Sequence, residues 1–258
     1  MIIPLLHRKP VPVDLKEHRA LKLALPVTDW SVAADLNSCF IAAIEFVDAA
    51  RDYPIFFVRT GNDDDGKAAI APIAVFGLQP KQNLFLEQGR WRADYMPASL
   101  RGYPMCLGRM DAENFAVCFD SAWSGVGTDD GVPMFDADGK PGEVLQNARA
   151  QLEALEGETQ RTRVLCRRLR DLDLLRPMRF DATLPDGSKL SVDGFLTVDN
   201  EKVQALDAAT THELLKSGLL GLIYAHFVSL GHMRKLLDWH LQRQPAAAPA
   251  DAPAAPAA

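Results

Sequence analysis

With 258 residues and 48% hydrophobic content, the chain has enough apolar material to bury a substantial core. Its 34 acidic residues outnumber 28 basic ones, for a net charge of −6, which argues against nucleic acid as a partner because such proteins usually carry a strongly basic footprint. Four cysteines (Cys39, Cys106, Cys118 and Cys166) stand far apart with no CxxC pair, so neither a zinc ribbon nor a thioredoxin motif is available.

The first residues, MIIPLLHRKPVPV, carry no positive leader, and Pro4 breaks an apolar run too short for a signal-peptide core, so a cytoplasmic location is expected. In a reducing cytoplasm the cysteines should be thiols. Residues 1–30 read as an extended, proline-punctuated arm that wraps the domain. Between 37 and 50, Phe40, Ile44 and Val47 fall at helical spacing while 39–44 also suits a strand; a strand followed by a short helix is expected. Residues 53–59, YPIFFVR, have the composition of a buried strand. GNDDDGK then makes an acidic turn, and 68–78 returns as a second strand in which Pro72 marks an edge or a bulge. Residues 83–86 are a third short strand.

The stretch 90–104, RWRADYMPASLRGYP, gathers one tryptophan, two tyrosines and three arginines beside two prolines. Aromatic and arginine side chains offer large contact area and fixed hydrogen-bond geometry, so Trp91, Arg92, Asp94, Tyr95, Arg101 and Tyr103 are the candidate binding residues. The same composition suits a half-buried connection that closes the core. An arginine is the expected partner of Asp94.

Residues 105–110 and 115–120 form a hairpin around DAEN. A three-residue loop, Asp111 to Glu113, sets Met110 opposite Asn114 and Cys106 opposite Cys118. The 123–141 segment reads as loop. Its Asp-rich pieces do not fit a calcium loop, because aligning Gly66 or Gly139 with the loop glycine puts Gly61 or Met134 at the first ligand position. Residues 142–175 are a long amphipathic helix with apolar positions at Val144, Leu145, Leu152, Leu155, Val164, Leu165, Leu169 and Leu172, and Gly157 is a candidate break. Its second half carries Arg161, Arg163, Arg167, Arg168 and Arg170, either a solvated face paired with carboxylates or a docking stripe for an anion.

Residues 179–198 read as a hairpin turning at Pro-Asp-Gly. Short helices follow over 199–211, with Thr210 or Thr211 as the N-cap before His212 and Glu213. A final helix spans 219–241, with Gly218, Gly221 and Gly231 permitting close packing or a break. Its apolar run, 218–231, falls short of the roughly 18 to 20 residues that cross a bilayer, so no membrane span is expected. From Gln244 the chain becomes a Pro/Ala tail outside the fold.

Catalytic motifs are not found. None of HExxH, GxSxG or GxxxxGK[ST] occurs, and no histidine begins a His-x-Asp or His-x-Glu iron motif. His226, His232 and His240 are six and eight residues apart, which does not bring them together on a helix face, and His226 reads as a hydrogen-bonded core histidine. No metal, cofactor or catalytic residue set is assigned.

The ordered succession VPVDLKEHRALKL, YPIFFV, FGLQPKQNLFL, GRWRADYMPASLRGYPM, FAVCFD, MFDADGKPG and GLLGLIYAHFVSLGHM resembles the SapC family of bacterial proteins, from about residue 5 to residue 240. This is not the multi-span peptide-transport permease of similar name. The resemblance implies a Gram-negative source and one continuous domain. It also implies neighbourhoods of surface-layer genes, TonB-dependent receptors and tryptophan-halogenase-like flavoproteins, from which a protein partner would come. It supplies no catalytic residues.

The sequence therefore predicts an α+β fold: a mainly antiparallel sheet built from residues 53–120, covered by the helices of 142–175 and 219–241, with the 179–198 hairpin added. Residues 1–243 make one domain and 244–258 a tail. The functional expectation is a non-enzymatic accessory or binding protein serving surface-layer or outer-membrane uptake systems. The rival is an enzyme modifying a peptide or carbohydrate, with Asp94, Arg101 and a tyrosine in a pocket.

Overall fold

The computed structural model describes residues 2–109 and 115–243. The fold is α+β with antiparallel sheets throughout, and buried side chains from Leu6 to Leu236 form one contiguous core. The predicted single sheet over 53–120 is two. Strands Leu175–Thr183, Lys189–Val198, Ile55–Asn62, Ala68–Val75 and Ser38–Phe40 lie in that order in a five-stranded sheet, while Pro10–Pro12, Phe115–Asp120 and Met105–Arg109 make a separate three-stranded one.

Proline placement follows hydrogen-bonding parity. Along the ladder on 115–120 the Val13 N–H donates to the Val117 carbonyl, so Pro10 and Pro12, at the alternate positions, turn their missing N–H to the outer edge. Pro72 acts similarly inside the larger sheet. Ile41 N donates to its carbonyl at 3.3 Å and Pro72 has nothing to return, so the Ser38–Phe40 strand stops there and 68–72 becomes a free edge. The edge expected at Pro72 is therefore present, although Ile73 and Ala74 are paired on both sides.

The predicted strand over 83–86 survives only as Leu86–Glu87. The buried Asn83 side chain takes over the pairing instead, donating to the Ala33 carbonyl (2.9 Å) and accepting from Phe85 N (3.0 Å). The 123–141 loop contributes two short strands, Val126–Gly127 and Val132–Pro133, that flank Lys22–Leu23 of the N-terminal arm.

In the hairpin Met105–Arg109/Phe115–Asp120, Cys106 stands opposite Cys118 as the spacing predicts, whereas the proposed Met110–Asn114 pair and loop 111–113 lie outside the described residues. Asp120 N bonds the Pro104 carbonyl, so by parity Cys106 and Cys118 are a hydrogen-bonded pair with Cα atoms about 5.5 Å apart, within disulfide reach. Cys118 Sγ nevertheless leans over Gly108 toward the Ala116 carbonyl at 3.7 Å. Burial pushes the Cys106 thiol up to about 12 and raises Cys118 as well. We therefore expect mild oxidant to crosslink the pair slowly in the native protein and quickly at the denaturation midpoint, read by mass spectrometry without reductant. Equal rates would show that the thiols are already accessible.

The long helix runs unbroken over Glu143–Asp171. Gly157 does not interrupt it: the position is exposed, with nothing within 4 Å of an added Cβ. Packing of Leu152 and Thr159 on either side outweighs glycine's cost, so Gly157→Ala should stabilise by about 0.5–1 kcal/mol in a denaturant titration. The buried stripe includes Thr159 and Thr162, while Val164, expected inside, is 61% exposed. The Thr162 hydroxyl is buried because it accepts from Ala43 N at 2.8 Å and donates to the Glu158 carbonyl.

Asp207, not Thr210 or Thr211, caps the Ala208–Lys216 helix; its carboxylate accepts from Thr210 N. The predicted 219–241 helix is interrupted at Leu230–Gly231 into Leu219–Ser229 and His232–Arg243. Among the described residues no single helix is long and apolar enough to cross a membrane.

Candidate functional site

Tyr53 explains where residues 89–104 lie. Its side chain is fully buried, so its hydroxyl must be paired. It donates to the Tyr95 carbonyl and accepts from Trp91 Nε1 at 2.7 Å. Trp91 is thereby wedged, half-buried, against Phe76 (centroids 5.1 Å), Phe85 (6.2 Å) and Trp30 (6.2 Å). Gly89 makes the turn that brings it there: φ is +77° and Asp29 Oδ1 lies 2.5 Å from where a Cβ would stand.

Tyr103 is buried at the other end of the segment, donating to Asp120 Oδ2 at 3.0 Å. Asp120 also accepts from the backbone N–H of Lys9 (2.8 Å), Arg8 (3.2 Å) and Ala122 (3.2 Å). Burial works to raise this carboxyl, but those backbone donors and Tyr103 prevail and hold it below the ordinary carboxylate value. The pair thus pins the N-terminal arm to the smaller sheet.

Tyr95 and Arg101 meet in a pocket of about 530 Å³ lined also by Glu45, Asp48, Gln151 and Glu158. The Tyr95 hydroxyl donates to Glu45 Oε1 at 2.8 Å, and Arg101 lies 5.6 Å from the Tyr95 ring centroid. Burial, reinforced by the Glu45 charge, raises the Tyr95 phenol above its usual value. Glu45 itself is 3% exposed and accepts from Ala98 N at Oε1 and Ala42 N at Oε2, both at 2.7 Å. This carboxylate ties the 42–45 turn to the 95–98 segment. Glu45→Gln turns an amide N–H toward one of those donors, and should cost about 1–2 kcal/mol of stability by denaturant unfolding.

Arg92 leaves the pocket for the C-terminal helix. Its guanidinium lies 4.0 Å above the Trp239 ring and 3.6 Å from Glu87. Lys235 Nζ approaches the same ring at 5.2 Å and donates to the Asp52 carbonyl at 2.5 Å. Arg243 donates to the carbonyls of Asn83 (2.6 Å) and Leu86. Burial, and then repulsion from Arg92, lowers the pKa of Arg243; burial also lowers Lys235, with Asp52 opposing and Arg92 adding to the shift. Two of these three cations are thus held by carbonyls and ring faces, not by carboxylates.

The six candidate residues therefore separate. Tyr103 is buried in the core and half-buried Trp91 packs against it, Tyr95 and Arg101 share a pocket, Arg92 joins a cation and tryptophan surface, and Asp94 is exposed with no ion pair among the described residues. The expected arginine partner of Asp94 is absent there. Tyr53, Glu45, Asp120 and Trp239 were not singled out from sequence. Only Trp239 left a signal, standing four residues after Lys235 on one helix face.

The arginines of the long helix mostly have carboxylate partners: Arg161 with Glu158, Arg168 bidentate to Glu213, Arg170 with Asp63 at 2.5 Å and Arg167 with Asp63 at 3.8 Å. Arg163 reaches the neutral Gln160 amide oxygen at 3.2 Å. Among the described residues no cluster of His, Cys, Asp or Glu is arranged to hold a metal.

The SapC family model matches residues 13–236. The chain belongs to the SapC family. No curated protein and no solved structure matches it. The SapC match takes in Arg92, Lys235 and the whole Tyr95–Glu45 pocket, and ends before Trp239 and Arg243.

Proposed function

We propose that this SapC-family chain is a non-enzymatic cytoplasmic accessory protein for surface-layer or outer-membrane uptake systems. It works by docking an acidic segment of a protein partner on the surface formed by Arg92, Lys235, Trp239 and Arg243. The observation that carries this reading is the excess of positive charge there: Arg92, Lys235 and Arg243 stand against two carboxylates, Glu87 beside Arg92 and Asp52 near Lys235, and Lys235 and Arg243 donate to backbone carbonyls. Cations set against aromatic faces are the residue types in which binding energy concentrates.

The enzyme reading would use the pocket of Glu45, Tyr95 and Arg101. Three donors of the fold already converge on Glu45, which suits a structural brace better than a proton-transfer group. The test is capture of partners from the native cell by the full chain and by Arg92→Glu, whose side chain lies over Trp239 with 26% of it exposed. A partner held at low salt should be lost at high salt and retained about tenfold less by the variant. Equal retention of that partner by Arg92→Glu would overturn the docking surface.

A further inference from the structure

A second groove, of about 530 Å³, runs between the C-terminal half of the long helix and the free edge that Pro72 creates in the five-stranded sheet. Its volume is that of a small-molecule site. The walls divide by chemistry. Phe40, Val58, Ile73 and the small side chains of Ala69 and Ala71 give an apolar floor, and Val164, 61% exposed, faces it from the helix. Val164 thereby extends the apolar floor to the mouth of the groove.

The rim carries Arg163, Arg167 and Arg170, spaced four and three residues apart and so on one helix face. Arg170 and Arg167 converge on Asp63 Oδ2, whose Oδ1 is filled by the N–H of Asp65 and Lys67. Asp63 is thus saturated, and its carboxyl is held below the ordinary value, chiefly by the Arg170 hydrogen bond. Among the described residues Arg163 bonds the neutral Gln160 oxygen alone, which leaves most of its planar donor set for an anion. Arg170 is also paired with Asp171 at 3.0 Å, so Arg163 is the guanidinium of the groove that faces no carboxylate partner among the described residues.

We propose that this groove binds a small amphiphilic anion, a carboxylate on an apolar body, with the carboxylate on Arg163 and Arg167 and the apolar part on the floor beside Val164. The site lies apart from the cation and tryptophan surface proposed for protein docking, and does not depend on it.

The test is calorimetric titration of the full chain with sodium decanoate, kept below its micelle threshold, and with the neutral alcohol decanol. Decanoate should bind at one site per chain, about tenfold or more tighter than decanol. Arg163→Glu and Val164→Ser, both at exposed positions, should each weaken it about tenfold while leaving the melting temperature within a degree or two. Arg92→Glu, on the other surface, should bind decanoate as the parent does. Absence of saturable binding, equal affinity for acid and alcohol, or unchanged affinity in Arg163→Glu would each overturn the proposal.

Discussion

Trp91→Ala should lower the unfolding free energy by about 3 kcal/mol, the cost of removing a large half-buried aromatic wedged among three rings together with its hydrogen bond, whereas Arg101→Ala should change it by no more than about 0.5 kcal/mol. The indole contacts three aromatic rings, and its Nε1 supplies the hydrogen bond that the buried Tyr53 hydroxyl accepts. Arg101 is exposed above the Tyr95 ring and bridges no carboxylate among the described residues. Trp91→Phe keeps a ring in the wedge and removes the indole donor, so it should recover most of the loss and leave about 1 kcal/mol. Urea unfolding of the three variants reads the difference. If Trp91→Ala unfolds at the parental midpoint yet loses partner binding, the segment recognises through Trp91 and the packing account fails. If partner binding follows Arg92 and stability follows Trp91, the segment has a structural side and a recognition side.

Elements with a strong local pattern were legible in the sequence. The 55–62 and 68–75 strands, the long helix, the hairpin around Pro-Asp-Gly and the Cys106–Cys118 register all follow from periodicity or counting within a few dozen residues. Which strands share a sheet was not legible, because that depends on distant partners: Leu196 pairs with Phe57, and Pro12 with Cys118. Helix interiors misled in one respect. A valine at position 164 and threonines at 159 and 162 suggest the wrong face, until Ala43 N reaches the Thr162 hydroxyl and draws that polar side chain inward. The site residues divide along the same line. Arg92 and Arg101 could be named from composition, but the groups that hold the segment, Tyr53, Glu45 and Asp120, come from elsewhere in the chain, and no spacing within 89–104 points to them.

Acidification should destabilise the protein in two stages, the first set by His226. This imidazole is fully buried on the Leu219–Ser229 helix; its Nε2 accepts from Val198 N (3.2 Å), so its Nδ1–H donates to the Ile55 carbonyl (2.9 Å). Both nitrogens are used in the neutral form, and burial lowers the pKa from 6.5 to about 4. A proton on Nε2 would face the Val198 N–H, and the Thr197 hydroxyl, 2.9 Å from Nε2, would have to turn from donor to acceptor. Above pH 6.5 neither folded nor unfolded chain binds this proton, and the stability from His226 is complete. Between pH 6.5 and about 4 the unfolded chain alone takes it up, so stability falls by ~1.4 kcal/mol per pH unit, about 3 kcal/mol in all. His7, His232 and His240, each lowered chiefly by burial, add to the slope in the same direction. Asp120 and Asp63 act in the next window: with folded values below the ordinary 3.8, they stabilise above it, and that contribution is lost as pH falls through their folded values. His226→Gln should therefore be less stable than the parent at pH 7, yet show a shallower decline between pH 6.5 and 4.5 in urea unfolding at stepped pH. A parental slope in that variant would assign the acid sensitivity to the other histidines and leave His226 as packing alone.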